Sequence, residues 1–148
     1  MSRSLAREDA FKLIFEMEVT DISADDALEY LFTTVAKTNE MWAQKFINAS
    51  NRKYIDCVVR GIGENKALLN EKIEPCLKDW TINRISKVNL AVLHLALFEI
   101  FFVEDIPNKV SVSEAVLLAK KYAGSESASF VNGVLGTVMN SLEETEEN

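Results

Sequence analysis

"ISKVNLAVLHLALFEIFFV", residues 85–103, is the stretch on which the fold turns. Drawn at 100° per residue, its apolar side chains surround the helix axis. Leu93 and Ile100 lie on one side, Leu95 and Phe102 on another, Leu97 and Phe101 on a third. A helix apolar all round has no face for water and belongs in the middle of a bundle. Asn89, His94 and Glu99 are its polar exceptions. His94 is the single histidine of the chain. A general base needs a nucleophile beside it and a group to orient it, and the sequence offers neither. His94 therefore reads as a helix residue hydrogen-bonded at the bundle edge.

Helical patterning continues outward in both directions, over about 4–19, 24–38, 41–49, 52–73, 111–122 and 127–142. Ser23 and Ser127 read as N-caps, and in "SVSEAV" either Ser111 or Ser113 can cap. Pro75 ends one helix and "DIPN", 105–108, separates two others. No internal repeat or long linker interrupts the pattern. The expected fold is all-α, a compact bundle of about seven helices. It forms one domain over 1–142, followed by a flexible acidic tail, "EETEEN", at 143–148.

The first helix has two apolar faces. Ala6, Ala10, Leu13 and Met17 form an ordinary core stripe, while Phe11, Phe15 and Val19 lie opposite. Either both faces are internal or the Phe face meets a partner protein. Near the C-terminus, "SASFVNGVL", 127–135, sets Asn and Gly inside a helical run. Val131, Val134, Leu135, Val138 and Leu142 make its core stripe. Gly133 lies off that stripe, where a missing side chain allows close helix approach, and Asn132 can hydrogen-bond a neighbouring loop. Phe130 stands at the edge of the stripe at the helix start. Free N–H groups there can meet a phosphate, and an exposed ring can stack on an unpaired base.

Composition bounds the function. The chain has 148 residues, 48% of them apolar, with only two prolines and five glycines, which favours helices over a many-turned sandwich. No apolar run reaches the roughly 18 residues of a membrane span, and the N-terminus lacks the pattern of a signal peptide. A cytoplasmic location is expected. Cys57 and Cys76 carry no metal-site spacing and read as reduced core thiols; the sequon "NAS", 48–50, is then never glycosylated. "RGIGENK", 60–66, lacks the third glycine and the preceding strand of a dinucleotide loop. Glu8–Asp9 and Asp25–Asp26 lie along helix starts and complement the helix dipole without facing each other as an acid–base pair. The sequence offers no catalytic residues, no metal ligands and no cofactor motif, so no enzyme is expected. Net charge is −7, an awkward sign for a nucleic-acid binder, and removing the four tail glutamates leaves −3. The cations to watch are Arg3, Arg7 and Lys12, then Lys120 and Lys121.

From about residue 4 to 140 the chain resembles the NusB family of bacterial transcription antitermination factors. The resemblance rests on "ISKVNLAVLHLALFEI", on "DIPNKVSVSEAVLLAKKYAGSESASFVNGVL", and on "AREDAFKLIFEME" in the first helix. It implies two small packed helical sub-bundles and no catalysis. It implies a partner, the small-subunit ribosomal protein NusE. With NusE the chain is expected to bind boxA-type single-stranded RNA within the RNA polymerase antitermination complex, notably in ribosomal RNA operons. By position, the RNA surface maps to Arg3, Arg7, Lys120, Lys121, Glu126, Ser127 and Phe130, and the NusE surface to Phe15 and Asn89. The chain departs from the family in its two sparse N-terminal arginines followed by Glu8 and Asp9. It also has Asn89 where many relatives are acidic, and Leu93–His94 where many have Leu-Arg. Two other readings compete. One is a protein-binding module without RNA contact, which the acidic charge favours. The other is a helical domain like those preceding some RNA methyltransferase domains, but 148 residues leave no room for the cofactor-binding half.

Overall fold

The computed structural model describes residues 3–35, 49–78 and 81–147. Among these residues there are six α-helices and no strand. They are α1 (Arg3–Thr20), α2 (Ala24–Glu29), α3 (Ala49–Ile73), α4 (Lys87–Phe102), α5 (Asn108–Ala123) and α6 (Ser125–Glu147). The all-α class therefore holds, with six helices among the described residues against the about seven expected for the chain. Of the helix anticipated at 41–49, residues 41–48, with Asn48 of the sequon, lie outside the described residues, and Ala49 opens α3. The helix expected over 24–38 is α-helical only to Glu29 and continues as a π-helical turn, Tyr30–Val35.

The chain divides into two units, residues 1–64 and 65–148, and α3 loses helical φ/ψ at Asn65, where one gives way to the other. In the first unit α2 packs on α1. Its N-terminus is capped as the sequence indicates: the Ser23 hydroxyl accepts the Asp26 N–H at 3.1 Å. Buried side chains include Ala6, Ala10, Phe11, Leu13 and Ile14 of α1, with Tyr54, Ile55, Val58, Val59 and Ile62 of α3. The second apolar face of α1 is thus graded. Phe11 is buried, Phe15 half-buried and stacked on it at 6.3 Å, and Val19 exposed.

The second unit is built around α4. Every residue from Leu90 to Glu99 is buried, and α4 packs against both α5 and α6. All-round hydrophobicity here means what it did in the sequence. Ser86 caps α4, its hydroxyl accepting the Asn89 N–H at 3.1 Å. His94 is buried rather than at an edge, with Nε2 2.6 Å from Asn70 Oδ1. Glu99 is also buried and accepts a 2.8 Å hydrogen bond from the Ser111 hydroxyl. That bond removes Ser111 as a cap; α5 begins three residues earlier, after Pro107, with no side-chain cap, so Ser113 is not one either. Ser127 is likewise not a cap, because α6 already begins at Ser125. Between α5 and α6 stands one residue, Gly124, at φ +96° and ψ −177°. A side chain is strained there, and glycine is not.

Three further expectations change. A Cβ built on Gly133 meets nothing within 4 Å, so this glycine permits no close helix approach. Cys57 and Cys76 are unbridged but are not core thiols: one is exposed and the other half-buried. The last helix runs on to Glu147, past Leu142 where the sequence pattern ends.

Candidate nucleic-acid and partner surfaces

In the second unit, the 3-10 turn Ile82–Arg84 leads into α4, and Gly124 leads into α6. The two helix starts enclose a groove of about 430 Å³ lined by Arg84, Ser86, Asn89, Glu126, Ser127 and Phe130, with Ile85 and Ala123. Four of the residues singled out in the sequence, Asn89, Glu126, Ser127 and Phe130, meet here although they are about 40 positions apart. Ser127 is buried and its hydroxyl donates to Asn89 Oδ1, so it ties α6 to α4 and does not point outward. With its oxygen engaged, the Asn89 side chain is held in one orientation at the groove wall. Phe130 is half-buried and Glu126 exposed. The groove thus combines an aromatic ring, an oriented amide, a cation and a carboxylate beside two helix N-termini, where backbone N–H groups favour anions. Lys120 and Lys121 are exposed in the last turn of α5 and do not line it. There they also complement the negative end of the helix dipole.

In the first unit the two arginines behave differently. Arg7 is 2% exposed, its guanidinium carbon 5.7 Å over the Tyr54 ring. Its burial takes it out of direct reach of a ligand in solution. Arg3 is half-buried and lies over the same ring at 4.6 Å. Its Nε donates to Asn51 Oδ1 at 3.1 Å and Nη2 to Ser50 Oγ at 3.0 Å. Lys12 is exposed. Sequence reading missed Arg84 and Ser86 in the groove and Ser50, Asn51 and Tyr54 under Arg3. Ser86 had a signal, a serine just before an apolar helical run. The others had none, because each acts through a residue distant in sequence. Among the described residues no group of three or more His, Cys, Asp or Glu could hold a metal ion, and no helix is long and apolar enough to cross a membrane.

Comparison with known proteins places these features in a lineage. The transcription antitermination protein NusB of Clostridium acetobutylicum is 45% identical over 144 residues, covering 97% of this chain and 99% of the relative. The structure of T. maritima NusB superposes with a TM-score of 0.75 at 29% identity, covering 93% and 90% of the two chains. A structure of antitermination factors NusB and NusE in complex with dsRNA shares the fold, with a TM-score of 0.78 at 23% identity over 95% and 99% of the two chains. The NusB family model matches residues 4–140, a span that takes in the buried α4, the groove at the starts of α4 and α6, and Arg7 with Tyr54. The chain belongs to the NusB family.

Proposed function

We propose that this chain is a cytoplasmic transcription antitermination factor. It pairs with NusE to hold boxA-type single-stranded RNA in the RNA polymerase antitermination complex and promotes read-through, notably of ribosomal RNA operons. The observation that carries this reading is the groove at the starts of α4 and α6, where Phe130 stands beside Arg84 and the oriented Asn89 amide. Phe130 stacks on an unpaired base, an interaction worth roughly 1–3 kcal/mol in single-strand binders. Arg84 meets the adjacent phosphate. Glu126 repels phosphate, which suits a chain of net charge −7 that needs a second protein to hold RNA firmly. Lys120 and Lys121 add a weaker, non-directional attraction from the end of α5. In the first unit Arg3 supplies a phosphate contact, and Arg7 supports it from beneath by sharing the Tyr54 ring. Phe15, half-buried on α1, contacts NusE, and Asn89 is the second residue assigned to that partner.

RNA binding measured by fluorescence anisotropy, with and without NusE, tests this reading. Binding is expected to be tight only with NusE. Phe130→Ala should weaken it about tenfold with little change in salt dependence, because stacking releases no counterions. NusE binding with no RNA retained by the pair leaves the protein-only module as the function.

A further inference from the structure

Helix α5 has more apolar surface than its own unit covers. Ser111, Ala115, Leu118 and Ala119 form its buried stripe. Val112 and Val116 lie outside that stripe and are half-buried, and Leu117 is 59% exposed. These three residues open a groove of about 890 Å³ between α5 and α6. The α5 wall runs over Lys109, Val112, Ser113, Val116 and Leu117, the three-and-four spacing of one helix face. The α6 wall runs over Asn132, Met139 and Glu143, in line with Gly136. A Cβ built on Gly136 meets nothing within 4 Å, so a foreign side chain can come close to the α6 backbone there. From Asn132 to Glu143 the wall is about 16 Å long, three helical turns. It shares no lining residue with the groove at the starts of α4 and α6.

The two ends of this groove differ in charge. The last turn of α6 holds Glu143, Glu144, Glu146 and Glu147 and no cation, so four carboxylates stand at the negative end of a helix dipole. Lys109 at that end is one cation against four anions. At the other end Lys120 is exposed and continues the α5 face one turn past Val116. RNA phosphate is repelled at the acidic end. A second copy of this chain does not suit the groove either, because two identical furrows set face to face leave both unfilled. A single helix fits, with an apolar face towards Val116, Leu117 and Met139 and its cations confined to one end.

We propose that the α5–α6 groove docks an amphipathic α-helix of a further protein, about three turns long, with Lys or Arg at the end that lies against Glu143. The inference stands apart from the RNA-binding reading and from the surface assigned to NusE, so this partner binds alongside both.

The test uses the full chain and synthetic helical peptides of about 15 residues. The peptides share one leucine stripe and differ only in their last turn, which carries lysines, glutamines or glutamates. In calorimetric titrations at low salt the lysine peptide should bind at least about tenfold tighter than the glutamate peptide, with the glutamine peptide between them. The double substitution Glu143→Gln, Glu144→Gln should narrow that gap. Leu117→Asp should weaken binding of the lysine peptide about tenfold or more at an unchanged thermal midpoint, because the side chain it replaces is exposed. Gly136→Leu, which fills the α6 side of the groove, should weaken it as well. Saturation with NusE should leave the peptide bound, and Leu117→Asp should leave RNA binding by the NusE complex intact. Binding of none of the peptides, or equal binding of all three, overturns the proposal. So does wild-type affinity in both Leu117→Asp and Gly136→Leu, which puts the peptide elsewhere. Displacement of the peptide by NusE makes NusE the occupant, and a dimer in light scattering that Leu117→Asp dissociates makes it a second copy; either result overturns the further partner.

Discussion

Arg7 and Arg3 share the ring of Tyr54, yet burial gives them opposite roles. Truncating Arg7 removes a desolvated cation–π contact and the packing of its aliphatic stem. Arg7→Ala should lower unfolding free energy by about 2 kcal/mol or more, measured by urea denaturation. Arg3→Ala should cost less stability and more RNA affinity. Phe15 is the parallel case on α1. Its stacking on Phe11 is worth about 0.5–1.5 kcal/mol beyond burial, so Phe15→Ala should leave the protein folded. The same variant should weaken NusE binding by about 2 kcal/mol or more, the size of an interface hot spot, in a calorimetric titration. A variant that unfolds instead makes Phe15 a core residue. The cysteines differ as well. Burial pushes the Cys76 thiol up, so less of it is thiolate at neutral pH, whereas Cys57 is exposed. Mass spectrometry after brief treatment with iodoacetamide should find Cys57 alkylated first.

At the scale of elements, α4 carries the stability of its unit. Leu93 is fully buried, and Leu93→Ala should cost about 2–5 kcal/mol on denaturant unfolding, the range for a filled core. Gly124 holds a backbone conformation that other residues reach only under strain, and Gly124→Ala should cost about 1–3 kcal/mol on the same measurement. These elements also mark the reach of sequence reading. The position of α4 was legible because an apolar surface on every side has one physical solution. Ser23 was legible as a cap because its partner is three residues away. Ser111 and Ser127 were misread as caps because each hydroxyl is engaged by a side chain on another helix, Glu99 and Asn89, a pairing no local pattern encodes. Gly133 was misread because a glycine marks permission for contact without supplying the neighbour.

For the whole molecule, charge is the governing quantity. Residues 143–148 carry four of the chain's 23 acidic side chains and none of the residues assigned to the RNA or NusE surfaces. Deleting them should raise RNA affinity of the NusE complex at low salt. The gain should vanish near physiological ionic strength, where screening falls to about 8 Å. An equal gain at all salt concentrations would mean a direct contact by the tail. The candidate site was legible only in part, for reasons of the same scale. Family resemblance located Phe130, Glu126 and Asn89 separately, but their meeting in one groove depends on how α4 and α6 pack, and Arg84 joins them from a turn without periodicity. Arg7 was legible as a cation and not as a buried one, since exposure is a property of the folded chain.

Gly124 has a consequence for the order in which the chain folds. It joins α5 to α6 with no other residue between them, and the two helices pack against one another. Bringing them together closes almost no loop, so the chain entropy lost before the first contacts form is close to its minimum. Contacts of such short sequence separation speed folding and arise early. This helix pair is therefore expected to be formed in the folding transition state. Conservative truncations at its interface, such as Val134→Ala, should slow refolding nearly as much as they destabilise, while Val58→Ala in the first unit should act mainly on the rate of unfolding.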